Sequence, residues 1–401
     1  MHIGVDASRA FLTKRTGTEE YSYQLIKAFA KIDRKNNYTL YLRPQVQVKL
    51  ALPSNFQFKV VPFSHLWTQA GLALEIFKNP PDVLFIPAHT LPVFHRPGLG
   101  TVVTIHDLGA EFLPQHHQFP QNLYLNRSTE YAAHHATRLI AVSQSTKADL
   151  INKLNCDPKK ISVVYEGYDK EIFNFQFSIF NLRKIKKKYG IAGDYILFVG
   201  TVQPRKNLMR LIEAFSFISY PKKDERSLTK KNSSPRRIGG RVQNDIKLVI
   251  VGKPGWMHKE IYEAPKKFGV EDRVKFLDYV SRADLPVFYQ NAFCSILPSL
   301  YEGFGLPVLE AMACGCPVVV SKTSSLSELV GGDLPAGRQA GLLIDPLNVE
   351  DIAQNLQLII NNLKLREELI EKGLKQVKKF SWEKCARETL KILENVGRQI
   401  S

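Results

Sequence analysis

The segment Ser299-Leu-Tyr-Glu-Gly-Phe-Gly-Leu-Pro-Val-Leu-Glu-Ala-Met-Ala-Cys-Gly315 decides how the chain is read. It follows a short apolar run, Ala292 to Leu297, that has the character of a buried parallel strand and stops at Pro298. A loop with two glycines comes next, then Pro307 at a first helical position and Gly315 just past the helix end. Gly303 and Gly305 let backbone N–H groups approach a ligand closely, and the helix start behind them favours anions. Glu302 and Glu310 bracket this cradle, with seven residues between them. A strand, an amide-lined loop, a helix dipole and two acids suit a phosphate-linked, hydroxyl-rich ligand. The competing reading is an ordinary βα connection with surface glutamates.

At 401 residues the chain exceeds the usual size of one core, which predicts two domains. An apolar share of 44% and a charged share of 23% belong to a globular protein. No run reaches the roughly 20 apolar residues of a membrane span. The start, Met1-His-Ile-Gly-Val-Asp6, is already strand-like and lacks the layout of a signal peptide, so a cytoplasmic protein is expected. Cysteines 156, 294, 314, 316 and 385 show no paired spacing and read as small buried residues in a reducing compartment. The formal net charge is +17. Arg183 to Lys188 carries five positive charges, and Pro221 to Arg241 a net six, so eleven of the seventeen sit in two segments. Neither interleaves aromatics as single-strand binders do, and nucleic acid is not expected as a partner. Docking on an anionic membrane face and plain solvation are the two readings of this charge.

Outward from the opening segment, the pattern is strand alternating with helix, the mark of α/β folds. Tyr195 to Gly200 is a strand, and Arg205-Lys-Asn207 introduces a helix with apolar Leu208, Leu211, Ile212 and Phe215. A guanidinium and an ammonium just past a strand end make a diphosphate site, because cations there oppose the helix dipole and need a reason. Two solvated basic residues are the alternative, and Asn207 is a candidate cap. Val274 to Val280 is a strand whose end, at Tyr279 and Val280, can present backbone and ring to a base; a core or edge tyrosine is equally compatible. In the N-terminal half, Gly17 opens a helix and offers a second place for close backbone approach, or simply a turn. His106-Asp107 follows a strand ending at Ile105, where open sheets bind ligands, although a packed, satisfied histidine fits too. His89 occupies the analogous place after Ile86. His116, His117, His134 and His135 read as surface. The segments 221–245 and 334–340 read as insertions.

Three motifs together resemble family 4 retaining glycosyltransferases over essentially the whole chain. They are Glu302-Gly-Phe-Gly-Leu-Pro-Val-Leu-Glu310, Gly200-Thr-Val-Gln-Pro-Arg-Lys-Asn207 and His106-Asp107, with support from Val142-Ser-Gln-Ser-Thr-Lys-Ala-Asp149 and the Gly17 loop. The resemblance implies a GT-B architecture: two Rossmann-like α/β/α domains facing across a cleft. Their expected extents are 1–189 for the acceptor and 190–378 for the donor. Residues 379–401 would form a C-terminal helix crossing back to the first domain. It implies a nucleotide-sugar donor and a saccharide or lipid-linked acceptor, with mannose or glucose as the hexose. Arg205 and Lys206 would bind the diphosphate, Glu310 the ribose, and Glu302 with Gly303, Phe304, Gly305 and Leu306 the donor sugar. His106 would contact that sugar from the opposite domain. The family needs no metal or other cofactor, and none is expected. A non-catalytic nucleotide-sugar-binding protein of the same fold is the alternative. Glycoside hydrolysis by the two glutamates is disfavoured, since one opens a phosphate cradle and the other lies in its helix.

Overall fold

The computed structural model describes residues 1–13, 15, 17–108, 121–173, 184–185, 187–191, 193–218, 246–335 and 337–400. His116, His117, Arg183, Lys186 and the segment 221–245 lie outside the described residues. Short runs rich in valine, isoleucine and aromatics become the strands of two parallel sheets, buried on both faces in the interior of each sheet and exposed at the edge strand Phe56–Val60. In the first sheet these are β1 (His2–Asp6), β2 (Asn37–Leu42), β3 (Phe56–Val60), β4 (Val83–Ile86), β5 (Gly100–Ile105), β6 (Arg138–Ala141) and β7 (Ile161–Val163). Their spatial order is β3-β2-β1-β4-β5-β6-β7. The second sheet holds β8 (Tyr195–Val199), β9 (Lys247–Val251), β10 (Val274–Leu277), β11 (Ser295–Leu297), β12 (Val318–Ser321) and β13 (Leu342–Ile344). Its order is β10-β9-β8-β11-β12-β13. Every pairing in both sheets is parallel. Strand order therefore reverses once in each half, between β1 and β4 and between β8 and β11.

Helices cover the sheets because their apolar stripes have nowhere else to go. Leu208, Leu211, Ile212 and Phe215 of helix Leu208–Ser216 are fully buried, each contributing about 1.5–3 kcal/mol of apolar burial. The strand expected to reach Val280 stops at Leu277, and the one expected from Ala292 begins at Ser295. All five cysteines are free and buried. Helix Trp382–Ile400 leaves the second half and lies against helix Gly17–Ile32 of the first. Glu383 there pairs with Lys31 at 2.9 Å, and the Trp382 ring meets Tyr21 edge-on at 5.8 Å. At this crossing Gly397 packs on Met1, where a Cβ would fall 2.2 Å from Sδ and displace the methionine side chain. No described helix is long and apolar enough to cross a membrane.

Candidate active site

The loops that follow β8 and β11 meet where the second sheet reverses its order. After β8 the chain makes one tight turn, Pro204–Lys206, and Asn207 takes a left-handed conformation with φ 60° before the helix begins. Asn207 makes no side-chain cap. Its amide instead donates to the carbonyls of Pro298 (3.1 Å) and Pro346 (2.6 Å), tying three strand-end loops together. This pinning sets Arg205 and Lys206 against the opening segment. Arg205 donates to Tyr301 O at 2.9 Å and to Glu302 Oε2 at 3.3 Å, and lies 3.7 Å from Asp107 Oδ2. Lys206 Nζ donates to Glu302 Oε1. Glu302 also accepts from Ser299 Oγ at 2.7 Å. Burial pushes Glu302 up, but Lys206 and Arg205 outweigh it and hold the carboxyl below its ordinary range. Burial pulls Lys206 below the ordinary lysine value, with Arg205 adding to the pull.

The glycine loop is shaped by close approach. Gly303 packs on the opposite half, where a Cβ would stand 1.8 Å from His106 O. Gly305 has φ 123° and caps helix Leu306–Ala313, with Leu306 at its first position. Ser325 Oγ is shared between the Glu302 and Phe304 carbonyls at 2.9 and 2.7 Å, and Glu302 N donates to Ser324 Oγ at 3.1 Å. Glu310, one and a half turns into that helix, accepts from Tyr289 OH at 3.2 Å and lies 3.5 Å from Arg282 Nη2. Burial pushes the Glu310 carboxyl up to about 7, against the pull of Arg282.

His106 reaches the cleft through its backbone. Its ring nitrogens meet Glu166 Oε1 (3.2 Å) and Pro87 O (2.8 Å), so the imidazole is already held by protein groups. Asp107, quoted with it in the sequence motif without a role, is the group that faces Arg205. Gly17 begins its helix with open space around it. Tyr279 is exposed beside Lys253, whose Nζ lies 5.4 Å from the ring centroid, and Val280 is buried.

Sequence reasoning missed Arg282. It bridges the halves, with Nη1 3.5 Å from Glu20 Oε1 on helix Gly17–Ile32 and Nη2 on Glu310. The only signal was a basic residue two positions beyond Val280. It also missed Glu328, which accepts from Gln144 N (2.9 Å) and Ser145 N (2.7 Å) at the start of helix Gln144–Leu154 across the cleft. Tyr301 joins the same seam by donating to Asp149 Oδ2 at 2.6 Å. Among the described residues no cluster of three or more His, Cys, Asp or Glu side chains is arranged to hold a metal ion.

Two switch-point crevices facing one another, one carrying paired cations around a glutamate, define a two-domain enzyme of GT-B architecture. Solved structures bear out the fold. Sucrose-phosphate synthase from Thermosynechococcus elongatus superposes with a TM-score of 0.74 at 18% identity, covering 98% of each chain. WaaG, a glycosyltransferase involved in lipopolysaccharide biosynthesis, gives 0.69 at 18%, covering 98% of this chain and 99% of that one. The profile described as Glycosyltransferase Family 4 matches residues 15–172, and that described as Glycosyl transferases group 1 matches residues 182–376. The chain belongs to the family 4 glycosyltransferases. It is 29% identical to O-antigen chain mannosyltransferase B of Escherichia coli, over 72% of this chain and 68% of that protein. It is 25% identical to the serotype-specific mannosyltransferase WbdA of Escherichia coli over 66% of this chain. The match spans only 29% of WbdA, well under two thirds of its length.

Proposed function

We propose that the protein transfers a hexose, mannose or glucose, from a nucleotide sugar to a polysaccharide or lipid-linked saccharide, with retention at the anomeric carbon and without a metal. The observation that carries this reading is Glu302 held between Arg205 and Lys206 at the β8/β11 reversal. As the bond from the anomeric carbon to the diphosphate breaks, negative charge gathers on the departing phosphate oxygen. Two fixed cations stabilise that charge in a water-poor site, the task a divalent ion performs in other transferases. Glu302 then exchanges a cation for a sugar hydroxyl, while Glu310 takes the ribose. The mannosyltransferases among the relatives, and the solved structure of Anabaena HepE in complex with UDP and glucose, support this assignment of chemistry. HepE superposes with a TM-score of 0.69 at 18% identity. The test is nucleotide release from a panel of UDP- and GDP-sugars with saccharide acceptors supplied. Release with one donor is expected, and a folded protein that releases none overturns the reading. The charge of +17 supports peripheral contact with an anionic membrane, checked by salt-sensitive flotation with anionic vesicles.

A further inference from the structure

The first sheet reverses its order between β1 and β4, as the second does between β8 and β11. Open α/β sheets bind ligands outside the strand ends at such a point. In the first half that place is a polar recess lined by Asp6, Ser8, Arg9, Arg43, Thr68 and Thr90. Asp6 ends β1, Arg43 follows β2 and Thr90 lies in the loop after β4, so three adjacent strands point into it. Asp6 accepts from Ser8 N–H at 3.0 Å, and burial raises its carboxyl above the ordinary range. Arg9 and Arg43 act on Asp6 as nearby charges, and neither forms an ion pair with a carboxylate among the described residues. Both guanidiniums are exposed, and the recess carries a net positive charge even with Asp6 ionised.

Arg43 lies over the buried Trp67 ring, 5.7 Å from its centroid. Such stacking orients the guanidinium plane and leaves its N–H edge for an acceptor. Arg9 is also close enough to His89 to pull its imidazole down, after burial and His106. His89 Nε2 meets His106 N at 3.4 Å, and His106 leads to Asp107 and Arg205. The recess thus adjoins the donor cradle along the same cleft.

We propose that this recess is a second oxyanion site, which takes a phosphate ester through the Arg9 and Arg43 guanidiniums and the hydroxyls of Thr68 and Thr90. A phosphate ester presents three acceptor oxygens, each able to accept more than one hydrogen bond, enough for two forks and two hydroxyls, where a carboxylate presents two. Treating its ligand as the acceptor rests on the transfer reaction proposed above. The class is then a phosphorylated acceptor, either a free sugar phosphate or a prenyl-phosphate headgroup.

The experiment titrates the full chain with inorganic phosphate by calorimetry. It compares wild type, the double variant Arg9→Gln/Arg43→Gln, and the donor-site variant Arg205→Gln/Lys206→Gln. Two binding steps are expected in wild type, and Arg9→Gln/Arg43→Gln weakens one of them by about tenfold or more, as loss of charge-assisted bonds implies. An unchanged isotherm in that variant, with an intact thermal transition, overturns the site. If the glutamine variant does not fold, Arg9→Lys/Arg43→Lys keeps the charge and removes the forks. A phosphate isotherm unaltered by that change overturns the site equally. Neutral vesicles doped with a prenyl phosphate separate the sources: capture that depends on Arg9 and Arg43 assigns the lipid headgroup, and phosphate binding without capture assigns the soluble ester. Absence of transfer with every donor leaves the phosphate titration standing, so the two readings fail separately.

Discussion

Lys206 is largely covered, paired with the Glu302 carboxylate, and beside a guanidinium that disfavours its charge. A lysine kept there at such cost has a transition-state role under the proposed reaction. Lys206→Ala should lower kcat by about two to three powers of ten while thermal stability stays within a few degrees. An unchanged rate in steady-state assays removes the role. Glu310 offers a stability test that does not depend on activity. Burial raises its carboxyl from an ordinary 4.5 to about 7, so between those values the folded state binds the extra proton. Stability should therefore fall as pH rises across that window, by roughly 3 kcal/mol at the upper limit. Denaturant melts at pH 5 and pH 8 should show this loss in wild type and a smaller one in Glu310→Gln. Equal pH dependence in the two proteins counts against the shift.

At the scale of elements, helix Gln144–Leu154 is capped twice. Ser143 Oγ accepts from Thr146 N at 3.0 Å inside its own half, as serine caps commonly do. Glu328 supplies the second cap from the other half and takes Tyr165 OH as well, at 3.1 Å. Glu328→Ala strips two backbone donors of their partner and should cost about 1–2 kcal/mol in urea melts. Glu328→Gln, which keeps an acceptor oxygen, should lose less. A stability within error of wild type for both would show that water replaces the carboxylate. The helix after Asn207 behaves differently, because its entry is fixed by side-chain bonds to two proline carbonyls rather than by a cap.

For the whole molecule, the contact that matters is Gly303 on His106. The two halves close until backbone meets backbone, with Thr146 Oγ1 3.3 Å from both carbonyls. A methyl group at 303 would occupy the space of His106 O. Gly303→Ala should hold the halves apart, raising the radius of gyration in solution scattering and lowering kcat at least about tenfold through lost alignment. Wild-type scattering and rate together would show that the loop yields instead. Arg282, between Glu20 and Glu310, works the same seam from its other side.

Local chemistry carried much of the site into view. The glycines at 303 and 305, the acids at 302 and 310 and the cations at 205 and 206 are legible because each obeys a short-range rule: close backbone approach, strand-end placement or opposition to a helix dipole. That Glu302 and Lys206 become partners across 96 positions belongs to the sheet, whose order puts β8 beside β11. Sequence period established a parallel α/β pattern and length predicted two units, since apolar runs and helical stripes follow from which faces each element must bury. Only the tertiary structure decided that the His106 ring turns inward to Glu166, that Arg282 and Glu328 bridge the halves, and that Arg9 and Arg43 share one recess. The physical reason is distance: these contacts join groups far apart in the chain, and no local periodicity records which strand ends will meet.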